Sequence, residues 1–397
     1  MTGPEPASTA VTVSRDLPRT VWIIVLARAV NRLGAFTLPF LSLVLVHDFG
    51  ASLTSAGYLL SAFGLATIPS RLFGGHLAKR LGAKTTISLG LAGTAAAQLF
   101  VAGARTFTQA IFALVMLGLF FEIHEPPSQA LIADVTEEHQ RPAAFNLLAV
   151  AMAVAGLGAG LLAAVLAGMN LRWLFVIDAA TCLLCAAVVS LVLADGAAQR
   201  PRNGHRRDRG VWSDRRLLVM LATGTVFAII YLQITIALPL TITQRHEPVS
   251  AIGALLTLST LTMLLAQPAL NCSRIRLLSH FRAMAWGYLL LGAGLAGYGF
   301  ATTIPAFAVA TVAWSFGDAL LIGRAYTVVA ALAPHAKRAQ YLAVYGISWG
   351  IAAIVAPPVG TWLLTLGGPR LPWLTMAAAS LSLAALQPSL ERRLTRR

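Results

Sequence analysis

Apolar residues fill this chain in long runs, and polar residues are gathered into short breaks between them. A helix needs about 20 apolar residues to cross a hydrocarbon core ~30 Å thick. On that rule the runs predict spans over 20–46, 54–75, 85–104, 107–133, 142–168, 172–194, 216–243, 250–272, 282–302, 304–332, 340–366 and 372–388. The reading is an all-α membrane protein of twelve transmembrane helices. Its spans are rich in Gly and Ala, as at Gly156, Gly158 and Gly160, and such residues let helix backbones approach closely in lipid. Pro39, Pro69, Pro126, Pro127, Pro239, Pro268, Pro357 and Pro358 fall within or at the ends of spans, where they bend helices and release carbonyls.

One long hydrophilic stretch, Asp195 to Arg216, lies almost midway with six spans on either side. The expected organisation is a disordered tail (1–19), a six-helix bundle (20–194), a cytoplasmic linker (195–215), a second bundle (216–389) and a basic tail (390–397). A shift of about 197 residues lays Arg141 onto Arg338 and the Gly-rich run at 156–160 near Gly350 to Gly360. Two pseudo-symmetric six-helix halves, parallel repeats of one plan, account for that match. Residues 1–19 lack the apolar core of a cleavable signal.

Composition sharpens the class. Apolar residues make up 57% of the chain and charged ones 11%, against about 45–50% and ~25% in soluble domains. The net charge of +15 does not imply nucleic acid. Twenty-two Lys and Arg fall in segments on one side of the predicted spans and four (Arg105, Arg172, Arg245 and Arg370) on the other. That asymmetry places both termini in the cytoplasm, with the basic loops beside anionic lipid.

Six charges break the apolar pattern from inside: Arg28 and Arg32 in span one, Glu122 and Glu125 in span four, Asp318 and Arg324 in span ten. Each costs about 2.5–3.5 kcal/mol at a helix centre in lipid, and six would approach ~15–20 kcal/mol. They must pair or line a wet cavity, which is what a solute carrier needs. Glu122 and Glu125, three apart on a helix, share nearly one face, as do Arg28 and Arg32 with Asn31 beside them. Glu122, Glu125 and Asp318 are the proton-coupling candidates. Arg28, Asn31, Arg32, His124, Tyr231, Gln233 and Arg324 are candidates for cavity charge and solute contact. Static Glu–Arg struts and recognition of solute charge remain open beside proton coupling.

Other features are quieter. Glu-Ile-His-Glu at 122–125 is not the two-histidine spacing of a zinc helix, so no metal is expected. Cys182 and Cys185 sit mid-span as small packing residues. Asp178 reads as an interfacial residue at the outer end of span six, and Arg71 as a snorkelling side chain. No phosphate-cradling loop is present, so an ion gradient must supply the work, and protons suit the buried carboxylates. No cofactor and no enzyme constellation is expected.

Four stretches then carry a family resemblance over essentially the whole chain. Gly75-His76-Leu77-Ala78-Lys79-Arg80-Leu81-Gly82-Ala83-Lys84 resembles the loop signature of the major facilitator superfamily, with Gly75, Lys79, Arg80, Gly82 and Lys84 as its conformational motif. Arg28 to Gly34 leading to Pro39-Phe40-Leu41, and Glu125-Pro126-Pro127-Ser128 through Asp134 to Arg141, resemble bacterial multidrug-efflux-like proton antiporters. So does Gly317-Asp318 followed by Ala333-Pro334. The resemblance implies the major facilitator fold, with spans one, four, seven and ten around the cavity. It also implies a bacterial plasma-membrane monomer whose partners are lipid and a small amphiphilic solute, exported against protons. An importer, or a non-transporting sensor of the same fold, stays open. The chain departs from the pattern at Lys79, where the signature has an acidic latch, and at Leu114, where antiporters often carry Arg. No proline lies within 156–160, where a Gly-Pro is usual.

Overall fold

The computed structural model describes residues 17–34, 37–137, 140–193, 209–270, 272, 275, 277–321, 323–334 and 337–395. The described helices are α1 (Arg19–Gly34), α2 (Thr37–Leu43), continued by a π-turn Val44–Asp48, α3 (Leu53–Leu81), α4 (Ala83–Gly103), α5 (Phe107–Phe121), α6 (Glu125–Val135), α7 (Arg141–Ala167) and α8 (Leu171–Val192). Then come α9 (Arg215–Gln244), α10 (Ser250–Leu270), α11 (His280–Phe300), α12 (Ile304–Leu321), α13 (Arg324–Leu332), α14 (Arg338–Gly367) and α15 (Leu371–Thr395). No strand occurs among the described residues.

Among the described residues ten stretches are long and apolar enough to cross a membrane, the last of them, Gln340–Leu394, holding most of both α14 and α15. Helix α3 falls where the second span is expected and runs on to Leu81. Most of the expected linker (195–208), the first sixteen residues and the last two lie outside the described residues.

Helix starts follow from short polar caps. Thr106 accepts from Gln109 N at 3.2 Å, and the Gln109 side chain accepts from Thr106 N at 3.3 Å, a capping box that opens α5. Asn170 caps α8, Asp214 caps α9 and Ser279 caps α11, each side-chain oxygen accepting an amide of the first turn. The signature motif is less of a loop than expected. Gly75 to Leu81 complete the last turns of α3, and the reversal rests on Gly82 alone, at φ +82°. Lys79 and Arg80 are exposed there.

The contacts sort the chain into two compact units. The first holds the described residues within Met1–Thr37, Leu65–Leu162 and Met169–Gly204. There α1 packs on α8, and α4 packs on both α8 and α5. Val21, Ile24, Ile87, Leu91, Cys185 and Val189 form much of its core. The second holds Leu38–Gly64, Ala163–Gly168 and His205–Arg397, again for the described residues. In it α9 packs on α14, and α11 packs on α12 and α15. The stretch 53–64 of α3 belongs here because the Ser61 hydroxyl donates to the Ile354 carbonyl at 2.6 Å. Large apolar side chains such as Leu161, Val165, Leu191, Leu265 and Val309 are exposed, as a lipid-facing surface requires.

The 197-residue repeat is visible in atoms. Arg141 Nε donates to the Ala133 carbonyl at 3.1 Å, and Arg338 Nε to the Ala330 carbonyl at 3.2 Å. Gly90 lets α4 meet the backbone at His124, where an added Cβ would stand 3.0 Å from the amide nitrogen. At Gly287 of α11 an added Cβ would stand 2.8 Å from the Leu321 side chain and 3.0 Å from the Gly317 carbonyl oxygen. Each of these pairs matches its counterpart in sequence at the same shift.

Candidate functional site

The fourth span is broken rather than continuous. Pro126 and Pro127 have no N–H to give the carbonyls four residues back, those of Glu122 and Ile123, so α5 ends at Phe121 and α6 restarts at Glu125. Between them the backbone tightens, with Ile123 N on Phe120 O and Glu125 N on Glu122 O, both at 3.2 Å. The Glu122 amide is met by the Ser70 hydroxyl at 3.0 Å. This corrects the single-face reading of Glu122 and Glu125. One ends a helix, the other begins the next, and a non-helical turn turns both, with His124, toward one space.

That space is a cavity of about 310 Å³ in the first unit. It is lined by Arg28, Asn31, Arg32, Arg71, Thr94, Phe121, Glu122, His124, Glu125, Met152, Asp178 and Cys182. Six of the candidates named from sequence therefore meet there. Arg28 forms an ion pair with Glu125, the side chains being only 13% and 20% exposed. Gln129 Nε2 donates to Glu125 as well, at 2.8 Å. Glu122 makes no ion pair among the described residues; the charges acting on it are Arg71, then Glu125 and Arg28. Asn31 donates to the Cys182 sulfur at 3.1 Å, and the Cys185 thiol to the Ala27 carbonyl at 2.9 Å. His124 is buried at the N-cap of α6, and its Nδ1 has no hydrogen-bond partner among the described residues.

Two readings from sequence change. Asp178 is no interfacial residue: it is buried within α8, accepts from Gln98 Nε2 at 2.7 Å and lines the cavity. Arg71 also lines the cavity, facing Glu122. A lone acid in Leu-Phe-Val-Ile-Asp-Ala-Ala was the available signal for Asp178, since a cap residue would lie at Asn170 instead. Nothing in local sequence pointed to Gln98, Thr94 or Met152.

The tenth span is broken at the matching place. Helix α12 ends at Leu321, Gly323 takes φ +79°, and α13 begins at Arg324. Arg324 turns back to donate to the Leu320 carbonyl at 2.5 Å, so it closes the end of α12 instead of pairing with Asp318. Asp318 is 0% exposed, and neither carboxyl oxygen has a hydrogen-bond partner among the described residues. It thus departs from the expectation that every intramembrane charge pairs or lines a cavity. A charge there would be uncompensated; such burial is tolerable for the neutral acid.

Tyr231 lies in an aromatic cluster, its ring 5.4 Å from Trp349 and 6.2 Å from Phe227. Gln233 is fully buried, donating to the Ala356 carbonyl at 2.9 Å and abutting Gly360. Its contacts brace α9 against α14. No cluster of metal-ligating side chains occurs among the described residues.

A bundle of apolar helices, two of them broken at charged residues, one beside a polar cavity, defines a membrane carrier rather than an enzyme. The chain belongs to the Major Facilitator Superfamily, whose profile matches residues 24–248 and 219–390. It is 25% identical over 391 residues to the multidrug resistance protein MdtH of Aeromonas salmonicida, covering 94% of this chain and 97% of the relative. It is 25% identical to the uncharacterized MFS-type transporter YhjO of Bacillus subtilis, over 92% of each chain. Among solved structures it resembles the POT family transporter PepTSo with a TM-score of 0.79 at 14% identity, covering 96% of this chain and 99% of that one. The nucleoside transporter NupG gives 0.76 at 14% identity, covering 94% and 99%. At such identities the two structures bear on fold alone.

Proposed function

We propose that this transporter is a proton-coupled antiporter of a bacterial plasma membrane that exports a small amphiphilic, drug-like compound by alternating access. The observation that carries proton coupling is Asp318, a fully buried carboxyl group with neither a hydrogen-bond nor an ion-pair partner among the described residues. A group so placed carries its proton here and can release it only when another conformation admits water. Glu122 is the partner candidate in the first unit, lining the cavity together with Arg71 and without an ion pair among the described residues. Glu125, held by Arg28 and Gln129, is a strut. Export is supported by the naming of the MdtH relatives as multidrug resistance proteins.

Reconstituted vesicles with an imposed pH gradient test this, using lipophilic cations, sugars and aromatic anions as solutes. Gradient-driven flux of an amphiphile is expected in the wild type and at least a ten-fold loss in Asp318→Asn and Glu122→Gln. Flux that persists unchanged in both variants overturns the proton sites, and flux in the opposite sense overturns export.

A further inference from the structure

The cavity of the first unit holds three guanidinium groups and three carboxyl groups, and some of them are matched. Arg28 is paired with Glu125 and Asp178 accepts from Gln98, while Arg71 acts on Glu122 through space, outside ion-pair distance, and Arg32 is not among the charges acting on Glu122. Arg32 is left over. It is exposed to the cavity and outside ion-pair distance of every described carboxylate.

Its depth makes that position costly. Arg32 lies thirteen residues beyond the start of α1 at Arg19, about 20 Å along the helix axis and past the middle of a ~30 Å slab. A guanidinium at such depth needs water or an anion against it, and its planar fork suits an oxyanion. The same cavity presents Phe121 and Met152, an apolar surface beside the charge. At about 310 Å³ the space stands at the small end of ligand pockets, which run ~300–1,000 Å³.

We propose that Arg32 reads an anionic headgroup on the transported solute, a carboxylate or related oxyanion whose apolar body lies against Phe121 and Met152. This rests on the transporter reading and names its substrate class. An anion leaving the cell also moves with an inside-negative potential, the direction export requires.

Calorimetric binding to the purified full-length chain in detergent separates the classes, with three probes built on one ring system: 2-naphthoate, neutral 2-naphthamide and cationic 2-naphthylmethylammonium. Naphthoate is expected to bind at least ten-fold more tightly than the amide. Arg32→Gln should erase that preference while amide affinity and melting temperature stay unchanged, and Arg32→Lys should keep part of it. Equal affinities, preference for the cation, no binding of naphthoate, or a preference that survives Arg32→Gln each overturns the proposal. Binding needs no gradient, so the two readings fail separately. Anion preference without proton-driven flux sinks the antiporter alone, and flux without anion preference sinks the anion site alone.

Discussion

Glu122 and Glu125 stand three residues apart, yet their surroundings assign them different tasks. Glu125 accepts from Arg28 and Gln129. Removing its charge strands Arg28, which would cost ~3–5 kcal/mol for a fully buried pair. With both side chains partly exposed, screening reduces the expected cost of Glu125→Gln to about 2 kcal/mol. Glu122→Gln has no such partner to strand, and its stability should stay within about 0.5 kcal/mol of wild type. Thermal unfolding of the two purified variants checks the contrast; equal losses would contradict it. Asp318→Asn replaces a buried carboxyl group, without partners among the described residues, with a neutral amide of nearly the same shape, so the melting temperature should hold while gradient-driven flux collapses. A large fall in melting temperature would mean the carboxyl group is a packing element. At this scale the sequence exposed the intramembrane charges, because in an apolar span any charge is anomalous. It did not expose who holds whom: Arg324 takes a carbonyl and Asp318 takes nothing among the described residues, and neither outcome has a signature in spacing.

Apolar runs mark where helices lie in the membrane but carry no mark of where one breaks, which is why α5–α6 and α12–α13 read as single spans. The proline pair at 126–127 was a legible cause of bending, while Gly323 became one only through its positive φ. The arginines that follow each broken span had a legible equivalence, and the structure supplies its purpose. Arg141 and Arg338 hold the Ala133 and Ala330 carbonyls at the C-terminal ends of α6 and α13. Those are carbonyls a helix cannot satisfy by itself, and a cation there also favours the helix dipole. Each bond is worth about 0.5–1.5 kcal/mol. Replacing either arginine with Gln should therefore speed amide exchange in the last turn of its own half-helix by roughly 2–10-fold. The other half should be unaffected, as mass spectrometry of the exchanged peptides would register. Unchanged protection at both ends would show that the contacts carry no stabilisation.

For the whole molecule, composition alone set the class, since a chain 57% apolar with 11% charge has no soluble core large enough to bury its apolar surface. The internal repeat was faint in sequence because lipid-facing positions accept almost any apolar residue. What persists at the 197-residue shift is the set of positions with a geometric reason, such as Gly90 with Gly287 and Arg141 with Arg338. The orientation expected from charge is open to direct measurement. Twenty-two Lys and Arg fall on one side of the expected spans and four on the other, and the basic side is retained in the cytoplasm. Alkaline phosphatase, active only outside the cytoplasm, should be active when fused after Glu247, between α9 and α10, and inactive when fused after Leu278, between α10 and α11. Green fluorescent protein at the same junctions should give the reverse. The opposite pattern at both junctions would invert the molecule, carry the tip of α1 with Arg32 toward the cytoplasmic face, and reverse the sense in which the cavity charges are reached from inside the cell.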